Sequence, residues 1–179
     1  MDKYTFFVTS DIHGSRETTL ELLSVAQKAN ADGMIIAGDL CPRDMRMALE
    51  IENAPFPVYL ARGNCDSRWD FEDFGLPYPP IVNEVIRSDG IRIVFTHGHL
   101  MSEPEEMSSF LRHDDIVITG HTHVPHLYRD KNGIIRLNPG SATRPRSQAG
   151  PTYAIIERDV IKLLSYPDGK LIDSLAIKE

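Results

Sequence analysis

Cysteines, basic clusters and long apolar runs are scarce in this chain of 179 residues. Its two cysteines, Cys41 and Cys65, could in principle pair, but reduced thiols are the better expectation for a chain without a leader. The first apolar run starts almost at Met1 and is followed at once by candidate site residues, so we expect no removable signal peptide. Because no apolar stretch approaches a membrane span in length, we predict a soluble protein of the cytoplasm.

The chain also lacks the basic surface that nucleic-acid binding usually needs. Its formal net charge is -7, and it has no basic helix or Lys-rich tail, which argues against capture of long nucleic acid. Some arginines do lie near the motif loops described below, so a local positive patch stays open, as does the alternative of solvated surface charges. These arginines are Arg43, Arg62, Arg68, Arg144 and Arg146.

The length and composition indicate one globular domain spanning residues 1–179. With 41% hydrophobic and 25% charged residues the chain can bury a substantial core, but it is short for two domains. No internal repeat, low-complexity tract or linker marks a boundary.

The first third of the chain predicts alternating strands and helices. Apolar runs at 4–9, 34–37 and 58–61 are typical of buried strands, and helices are predicted over 15–30 and 44–52. We expect Thr18 and Glu21 to form a capping box in the first helix. This order favours parallel pairing, which would place the loops after the three strands at one edge of a sheet.

The pattern changes at the stiff, proline-rich segment from Gly75 to Pro80. A hairpin is predicted over 81–95, a helix from Ser102 to Leu111, and a further strand over 116–118. Strands are then predicted over 126–128, 134–137, 153–157, 160–164 and 171–176, which makes two sheets more plausible than one. The aromatic-apolar stretch of Phe71, Phe74, Leu76 and Tyr78 is either an interface or, more simply, buried over the sheet.

Five apolar runs each end on side chains that could bind a metal. Each motif alone is weak evidence for a metal site, but five such motifs at strand ends are not expected by chance. Loops at the carboxyl ends of neighbouring strands also converge on one crevice. The candidate metal ligands are Asp11, His13, Asp39, Asn64, His97, His121 and His123.

These ligands offer carboxylate, amide and imidazole groups without an obligatory thiolate. Such a set suits manganese, iron, zinc, nickel or cobalt, of which we favour manganese. Seven ligands are too many for one ion and suit two ions about 4 Å apart, which can activate a hydroxide for displacement at phosphorus. Asp39 is the natural bridging carboxylate because its loop would lie between the loop of Asp11 and the loop of Asn64.

The motifs Asp11-x-His13, Gly38-Asp39, Gly63-Asn64-x-Asp66, His97-Gly98-His99 and Gly120-His121-x-His123 resemble those of the calcineurin-like metallophosphoesterase superfamily. The small size of the chain is similar to that of the bacterial and archaeal phosphodiesterases of the YfcE-like branch. The resemblance implies an α/β fold, a four-layer α/β/β/α sandwich of two mixed sheets flanked by helices. It also implies one ion held by Asp11, His13, Asp39 and His123, and a second held by Asp39, Asn64, His97 and His121.

One departure concerns the residue after the ligand asparagine. Many members of the superfamily have histidine there, thought to assist the leaving oxygen or the phosphate, with the next acidic residue orienting it. This chain has Cys65 followed by Asp66, as the small bacterial branch tolerates. Because a thiol is a weak donor, we expect a preference for diesters or activated esters over alkyl monoesters.

Other residues near the motifs have two interpretations each. His99 either contacts substrate or fills the loop below His97. The loop from Asn138 to Ser141, with Arg144 and Arg146 after it, either folds over the metals to receive a phosphate oxygen or is a structural turn.

The sequence therefore predicts a dinuclear, divalent-metal-dependent phosphodiesterase for small phosphodiesters. Asp39, Asn64, Cys65, Asp66 and His99 are the candidate catalytic residues, and Asn64, Cys65, Arg144 and Arg146 the candidate substrate-binding residues. A nuclease of the same superfamily and a non-catalytic scaffold, like a eukaryotic sorting-complex subunit of this fold, are the alternatives. A homo-oligomer is left open.

Overall fold

The computed structural model describes residues 4–100 and 111–178, which form three helices and eleven strands. The helices are α1 (Arg16–Lys28), α2 (Met45–Glu52) and α3 (Arg68–Asp73). The strands are β1 (Phe6–Thr9), β2 (Gly33–Ile36), β3 (Val58–Leu60), β4 (Val82–Ile86), β5 (Arg92–Thr96), β6 (Ile116–Ile118), β7 (His126–Arg129), β8 (Ile135–Asn138), β9 (Thr152–Ile156), β10 (Val160–Ser165) and β11 (Leu171–Ala176).

The strands build two mixed sheets. The first has the order β11-β10-β9-β1-β2-β3, in which β1, β2 and β3 run parallel and the other pairs antiparallel. The second has the order β4-β5-β6-β8-β7, with β5, β6 and β8 parallel. The predicted parallel unit, the hairpin over 81–95 and the two-sheet arrangement are thus confirmed.

Alternation along the strands of the first sheet places their apolar side chains in two layers of the core. In β1, Phe6 and Val8 pack between the two sheets, whereas Phe7 faces the helices. The layer between the sheets is closed by isoleucines of the second sheet, and the outer layer by apolar residues of all three helices, such as Leu22 and Met47. Because side chains of a strand alternate in direction, one short apolar run can serve both layers.

The start of α1 differs from the prediction. Ser15 is the N-cap, and its hydroxyl accepts a hydrogen bond from the backbone N–H of Thr18, which lies inside the helix. The predicted capping box of Thr18 and Glu21 is therefore wrong. An N-cap needs extended backbone, and that conformation occurs at Ser15, directly after the left-handed Gly14.

The segment around residue 70 forms the short helix α3, which the sequence did not predict. Phe71 is fully buried and Leu76 nearly so, which supports burial of this aromatic-apolar stretch over its use as an interface. The predicted helix from Ser102 falls, apart from its last residue, outside the described residues.

Within residues 4–100 and 111–178, no helix combines the length and apolar character that crossing a membrane requires. The assignment of all 179 residues to one domain stays a prediction.

Candidate metal centre

The predicted ligands lie in loops directly after β1, β2, β3, β5 and β6. Five of them adopt the left-handed backbone region that non-glycine residues rarely enter, namely Asp11, His13, Asp39, His121 and His123. This backbone conformation is strained for residues other than glycine and persists only where the surrounding structure enforces it. Strained residues of this kind cluster at functional sites. The sharp turns aim side chains from both sheets into a single cleft.

One half of the cleft is built around Asp11. Its Oδ1 lies 3.1 Å from Nε2 of His123 and 3.9 Å from Nε2 of His13. The two imidazole Nε2 atoms are themselves 3.3 Å apart. Yet Asp11 Oδ1 is buried without a hydrogen bond from any described residue. A bare acceptor beside two converging ring nitrogens is an arrangement that a cation would satisfy.

The other half is built around Asn64. Its Oδ1 lies 3.1 Å from Nε2 of His97 and 2.9 Å from Nδ1 of His121. Between the halves, Oδ2 of Asp39 is 3.4 Å from Nε2 of His97 and 3.7 Å from Nε2 of His13. The carboxylate of Asp39 is thus within reach of both groups of ligands, as a bridging ligand must be.

Backbone carbonyls orient two of the histidines. Nδ1 of His97 lies 2.9 Å from the carbonyl oxygen of Ala37, and Nδ1 of His123 lies 2.6 Å from that of Arg144. When Nδ1–H donates to a carbonyl, Nε2 carries the lone pair that a metal needs. The Nε2 atom of His97 therefore faces both Asp11 and Asp39, whereas that of His123 faces Asp11.

Further hydrogen bonds hold the carboxylates. Oδ2 of Asp11 accepts from the hydroxyl of Ser10 at 2.6 Å and from the backbone N–H of His121 at 3.0 Å. Oδ1 of Asp39 accepts from the backbone N–H of Cys65 at 2.8 Å. Each carboxylate thus keeps its second oxygen for the cleft.

Glycines allow the ligand loops to pack this closely. A Cβ on Gly63 would lie 2.0 Å from Oδ1 of Asp39, and one on Gly120 would lie 1.9 Å from the hydroxyl of Ser10. Neither contact is tolerable for a real side chain. The Gly-Asn and Gly-His steps of the motifs are therefore required by the approach of the loops.

The charges of the cleft also fit a cation site. Burial alone would raise the pKa of Asp39, but the neighbouring His97 and the hydrogen bond from the Cys65 backbone N–H hold that pKa well below its ordinary value. Burial lowers the pKa of His13, with Asp39 acting against it. Against the effect of burial, Asp39 and Asp11 raise the pKa of His97. The carboxylate stays ionised and attracts positive charge, which suits a divalent cation.

Asp66 has a different geometry from the one expected. Its carboxylate accepts the backbone N–H groups of Asp39 at 3.0 Å, Cys41 at 2.9 Å and Gly63 at 2.7 Å. These bonds tie the loop after β2 to the loop after β3. No described contact joins the Asp66 carboxylate to the thiol of Cys65, so Asp66 positions the ligand loops.

The two cysteines are free. Cys41 is buried, and its thiol lies 3.4 Å from the carbonyl oxygen of Cys65. The Cys65 side chain is exposed beside the amide of Asn64, with Sγ 3.2 Å from Nδ2. Burial and the nearby Asp39 raise the pKa of the Cys65 thiol, so it stays protonated at neutral pH.

The loop after β8 braces the centre. Asn138 donates to the carbonyl oxygen of Gly120 at 2.9 Å, and the Ser141 hydroxyl donates to that of Asp11 at 2.8 Å. The amides of Gly140 and Arg144 are bound within the loop, to Asn138 and Ser141. These two N–H groups are therefore already occupied, which agrees with the alternative of a structural turn.

The remaining candidates lie around the rim. The His99 ring is 5.4 Å from that of His97, centroid to centroid, and its buried Nδ1 has no partner among the described residues. Arg144 is an electrostatic neighbour of His13 and Cys65. Arg146 contributes a backbone N–H to the carbonyl oxygen of His123, and no described contact involves its side chain.

Sequence reasoning missed Ser10 and Asn138 as supports of the ligands. Both are fully buried polar residues at the ends of strands, Ser10 directly after β1 and Asn138 as the last residue of β8. The signal available was a polar residue at the carboxyl end of an apolar run, next to a ligand motif. Only the fold shows which backbone groups they bind.

The fold and its ligand loops define the class of this protein. Two mixed sheets flanked by helices, with ligand loops at their strand ends, define a metallophosphoesterase fold. Residues 5–160 match the model of the calcineurin-like phosphoesterase superfamily domain, and the chain belongs to this superfamily. The predicted family and fold class are therefore confirmed.

Two bacterial relatives are similar over most of their length. Phosphodiesterase YfcE of Escherichia coli is 31% identical over 179 residues, covering 94% of this chain and 95% of the relative. The probable metallophosphoesterase YsnB of Bacillus subtilis is 31% identical over 155 residues, covering 83% and 81%.

Solved structures agree on the fold. The structure of YfcE, a phosphoesterase from E. coli, matches with a TM-score of 0.85 at 28% identity, covering 97% of this chain and 100% of that one. Vacuolar protein sorting 29 from Cryptosporidium parvum matches with a TM-score of 0.64 at 22% identity, covering 98% and 97%. The second likeness concerns the fold alone.

Proposed function

We propose that this protein is a divalent-metal-dependent phosphodiesterase acting on small phosphodiesters. The observation that carries the proposal is the buried Oδ1 of Asp11, which accepts no hydrogen bond from the described residues. It faces the Nε2 atoms of His13, His97 and His123 at 3.9, 3.8 and 3.1 Å. A cleft in which a bare carboxylate oxygen faces several ring nitrogens suits a cation. The name of the E. coli relative, a phosphodiesterase, supports the substrate class.

The proposed ligand sets follow the two halves of the cleft. Asp11, His13, Asp39 and His123 would hold one ion, and Asp39, Asn64, His97 and His121 the other. Asp11, His13 and His123, whose potential ligand atoms lie close together, all belong to the first set. Asp11, Asp39 and His97 are also close together and span the two sets. When bound, two divalent ions would supply an activated water and polarise the phosphoryl oxygens.

The chain itself would orient the substrate. Arg144, the electrostatic neighbour of His13 and Cys65, would receive a non-bridging phosphate oxygen. The thiol of Cys65, neutral and exposed, would stand near the leaving oxygen as a weak donor. Weak proton donation suffices for a leaving group that is stable as an anion.

This gives a test of the proposed function. With added divalent metal, we expect an aryl phosphodiester to be hydrolysed at least about 100-fold faster, in kcat/KM, than an alkyl phosphomonoester, because an alkoxide needs a general acid. Cys65→His should narrow the gap by speeding the monoester. Faster cleavage of the alkyl monoester by the wild-type protein would refute the proposal.

Arg144 and Arg146, which follow the loop after β8, provide a matched comparison. Arg144→Ala should raise KM for the aryl diester by about tenfold, the effect of one charge-assisted hydrogen bond. Arg146→Ala should change KM by less than about twofold, since its described contact is made by the backbone. Steady-state kinetics of both variants decide the point, and unchanged KM in Arg144→Ala would remove this residue from the substrate site.

Manganese as the metal and the cytoplasm as the compartment stay predictions. The nuclease and scaffold alternatives gain no support from the site. A scaffold does not need a cleft of converging ligands, and the likeness to a sorting protein extends to the fold alone.

A further inference from the structure

Arg62 lies beside the metal-ligand loops and carries a guanidinium that the proposed mechanism does not use. It directly precedes Gly63 and the ligand Asn64, is half-buried, and donates its backbone N–H to the carbonyl oxygen of Pro80 at 2.7 Å. Its guanidinium carbon lies 5.2 Å from the centroid of the Tyr78 ring. Stacking on an aromatic ring fixes the guanidinium plane and leaves its N–H edges available.

The supporting ring is itself held in place. The Tyr78 hydroxyl donates to the carbonyl oxygen of Asp66 at 3.3 Å, and its ring packs edge-on against buried Phe71 with the centroids 5.8 Å apart. Asp66 is the residue that ties the ligand loops together. The position of Arg62 is therefore coupled to the metal centre through a rigid aromatic support.

Arg62 has no carboxylate partner within residues 4–100 and 111–178. Other arginines of the fold do have one: Arg87 pairs with Asp89, Arg136 with Asp130, and Arg68 with Glu72. A half-buried, pre-positioned guanidinium without such a partner retains its capacity to bind an anion.

The surroundings of Arg62 differ from those of Arg144. Arg62 is an electrostatic neighbour of His99, whose ring lies 6.3 Å from that of His121, centroid to centroid. Arg144 instead adjoins His13 and Cys65. A diester bound in the cleft would thus meet one guanidinium beside Cys65 and another beside His99.

We propose that Arg62 determines substrate specificity by binding an anionic group, a carboxylate or a second phosphate, on the alcohol portion of the phosphodiester beside His99. This inference rests on the proposed function and narrows its substrate class. Arg62 would form charge-assisted hydrogen bonds through the guanidinium edge that its stacking on Tyr78 leaves open.

The test uses two diaryl phosphodiesters with the same nitrophenolate leaving group. Their second aryl group bears a para carboxylate in one and a para carboxamide in the other, so they differ in charge but hardly in shape. For the metal-loaded wild-type protein we expect kcat/KM to favour the carboxylate by about tenfold. In Arg62→Gln this ratio should fall to about one, and in Arg62→Lys to an intermediate value, because lysine keeps the charge without the planar fork.

Arg68→Gln is the matched control. Arg68 lies 5.1 Å from the same Tyr78 ring but is exposed and pairs with Glu72, so its loss should leave the ratio near its wild-type value. If Arg62→Gln fails to fold, the wild-type protein alone still provides a test. Raising the ionic strength should reduce its preference for the carboxylate diester, because salt screens the attraction between the guanidinium and the carboxylate.

The outcomes separate the two proposals. If both diesters are hydrolysed but the wild-type ratio is about one, or if Arg62→Gln keeps the wild-type ratio, the role of Arg62 is refuted and the phosphodiesterase proposal stands. A loss of preference equal in Arg68→Gln and Arg62→Gln also refutes it. If neither diester is hydrolysed with any divalent metal, the proposed function fails and this inference fails with it.

Discussion

Asp39→Asn is expected to lower kcat/KM for an aryl phosphodiester by at least about 1,000-fold, or about 4 kcal/mol of transition-state stabilisation. Oδ2 of Asp39 faces Nε2 of His97 at 3.4 Å and Nε2 of His13 at 3.7 Å, while Oδ1 accepts the N–H of Cys65. An amide cannot replace both oxygens, because its NH2 group would either face the proposed ion sites, where it cannot bind a cation, or meet the Cys65 N–H, from which it cannot accept a hydrogen bond. The substitution also removes the negative charge shared by both proposed ion sites.

The measurement is steady-state hydrolysis with saturating divalent metal, together with metal content and a thermal melt of each variant. Asp168→Asn is the control, since this carboxylate lies on an exposed turn and pairs only loosely with Lys170, at 3.8 Å. We expect Asp168→Asn to retain wild-type activity. Activity of folded Asp39→Asn within tenfold of wild type would exclude the bridging role.

Asp66→Asn is expected to reduce both activity and stability. One carboxylate accepts three backbone N–H groups, and an asparagine side chain would present an NH2 donor to at least one of them. Leaving buried donors unsatisfied costs about 3 kcal/mol in the free energy of unfolding. Because the bonds hold the loops of Asp39 and Gly63, kcat/KM should also fall by about 100-fold or more.

A substitution at Asp32 serves as a control that separates the effect on stability from the effect on activity. Asp32 accepts the backbone N–H groups of Tyr4 and Thr5, both at 2.9 Å, at the opposite end of β1 from the ligand loop. Asp32→Ala removes the oxygen that accepts both bonds and should lower the free energy of unfolding without changing kcat/KM at temperatures where the protein is folded. If Asp66→Asn behaved in the same way, its carboxylate would stabilise the fold without positioning the centre.

The local pattern of apolar and polar residues was sufficient to predict most of the fold. Runs such as that ending at Thr9 are bounded by polar or glycine residues and are long enough to define strands, and parallel pairing then brings their loops to one edge. The convergence of the seven predicted ligands could be anticipated for the same reason. Their roles in binding metal stay predictions that the experiments above address.

Features that depend on tertiary contacts could not be predicted. Helix α3 has six residues, of which only Phe71 is buried, so no periodic signal exists to detect. The partners of Asp66 are backbone groups from two other loops, which a sequence pattern does not contain. Ser15 is the N-cap of helix α1 because the left-handed turn at Gly14 directly precedes it. The sequence alone offered Ser15 and Thr18 as hydroxyl residues near the start of the helix and did not show which one would be the N-cap.

The most direct test of the account is hydrolysis of an aryl phosphodiester by metal-stripped protein, before and after addition of single divalent ions. We predict negligible turnover without metal and recovery of at least about 1,000-fold with manganese or another borderline ion, reaching its maximum near two ions per chain. Asp39→Asn should show no comparable recovery. Full activity of the stripped protein, with metal analysis confirming that the ions are gone, would contradict the account.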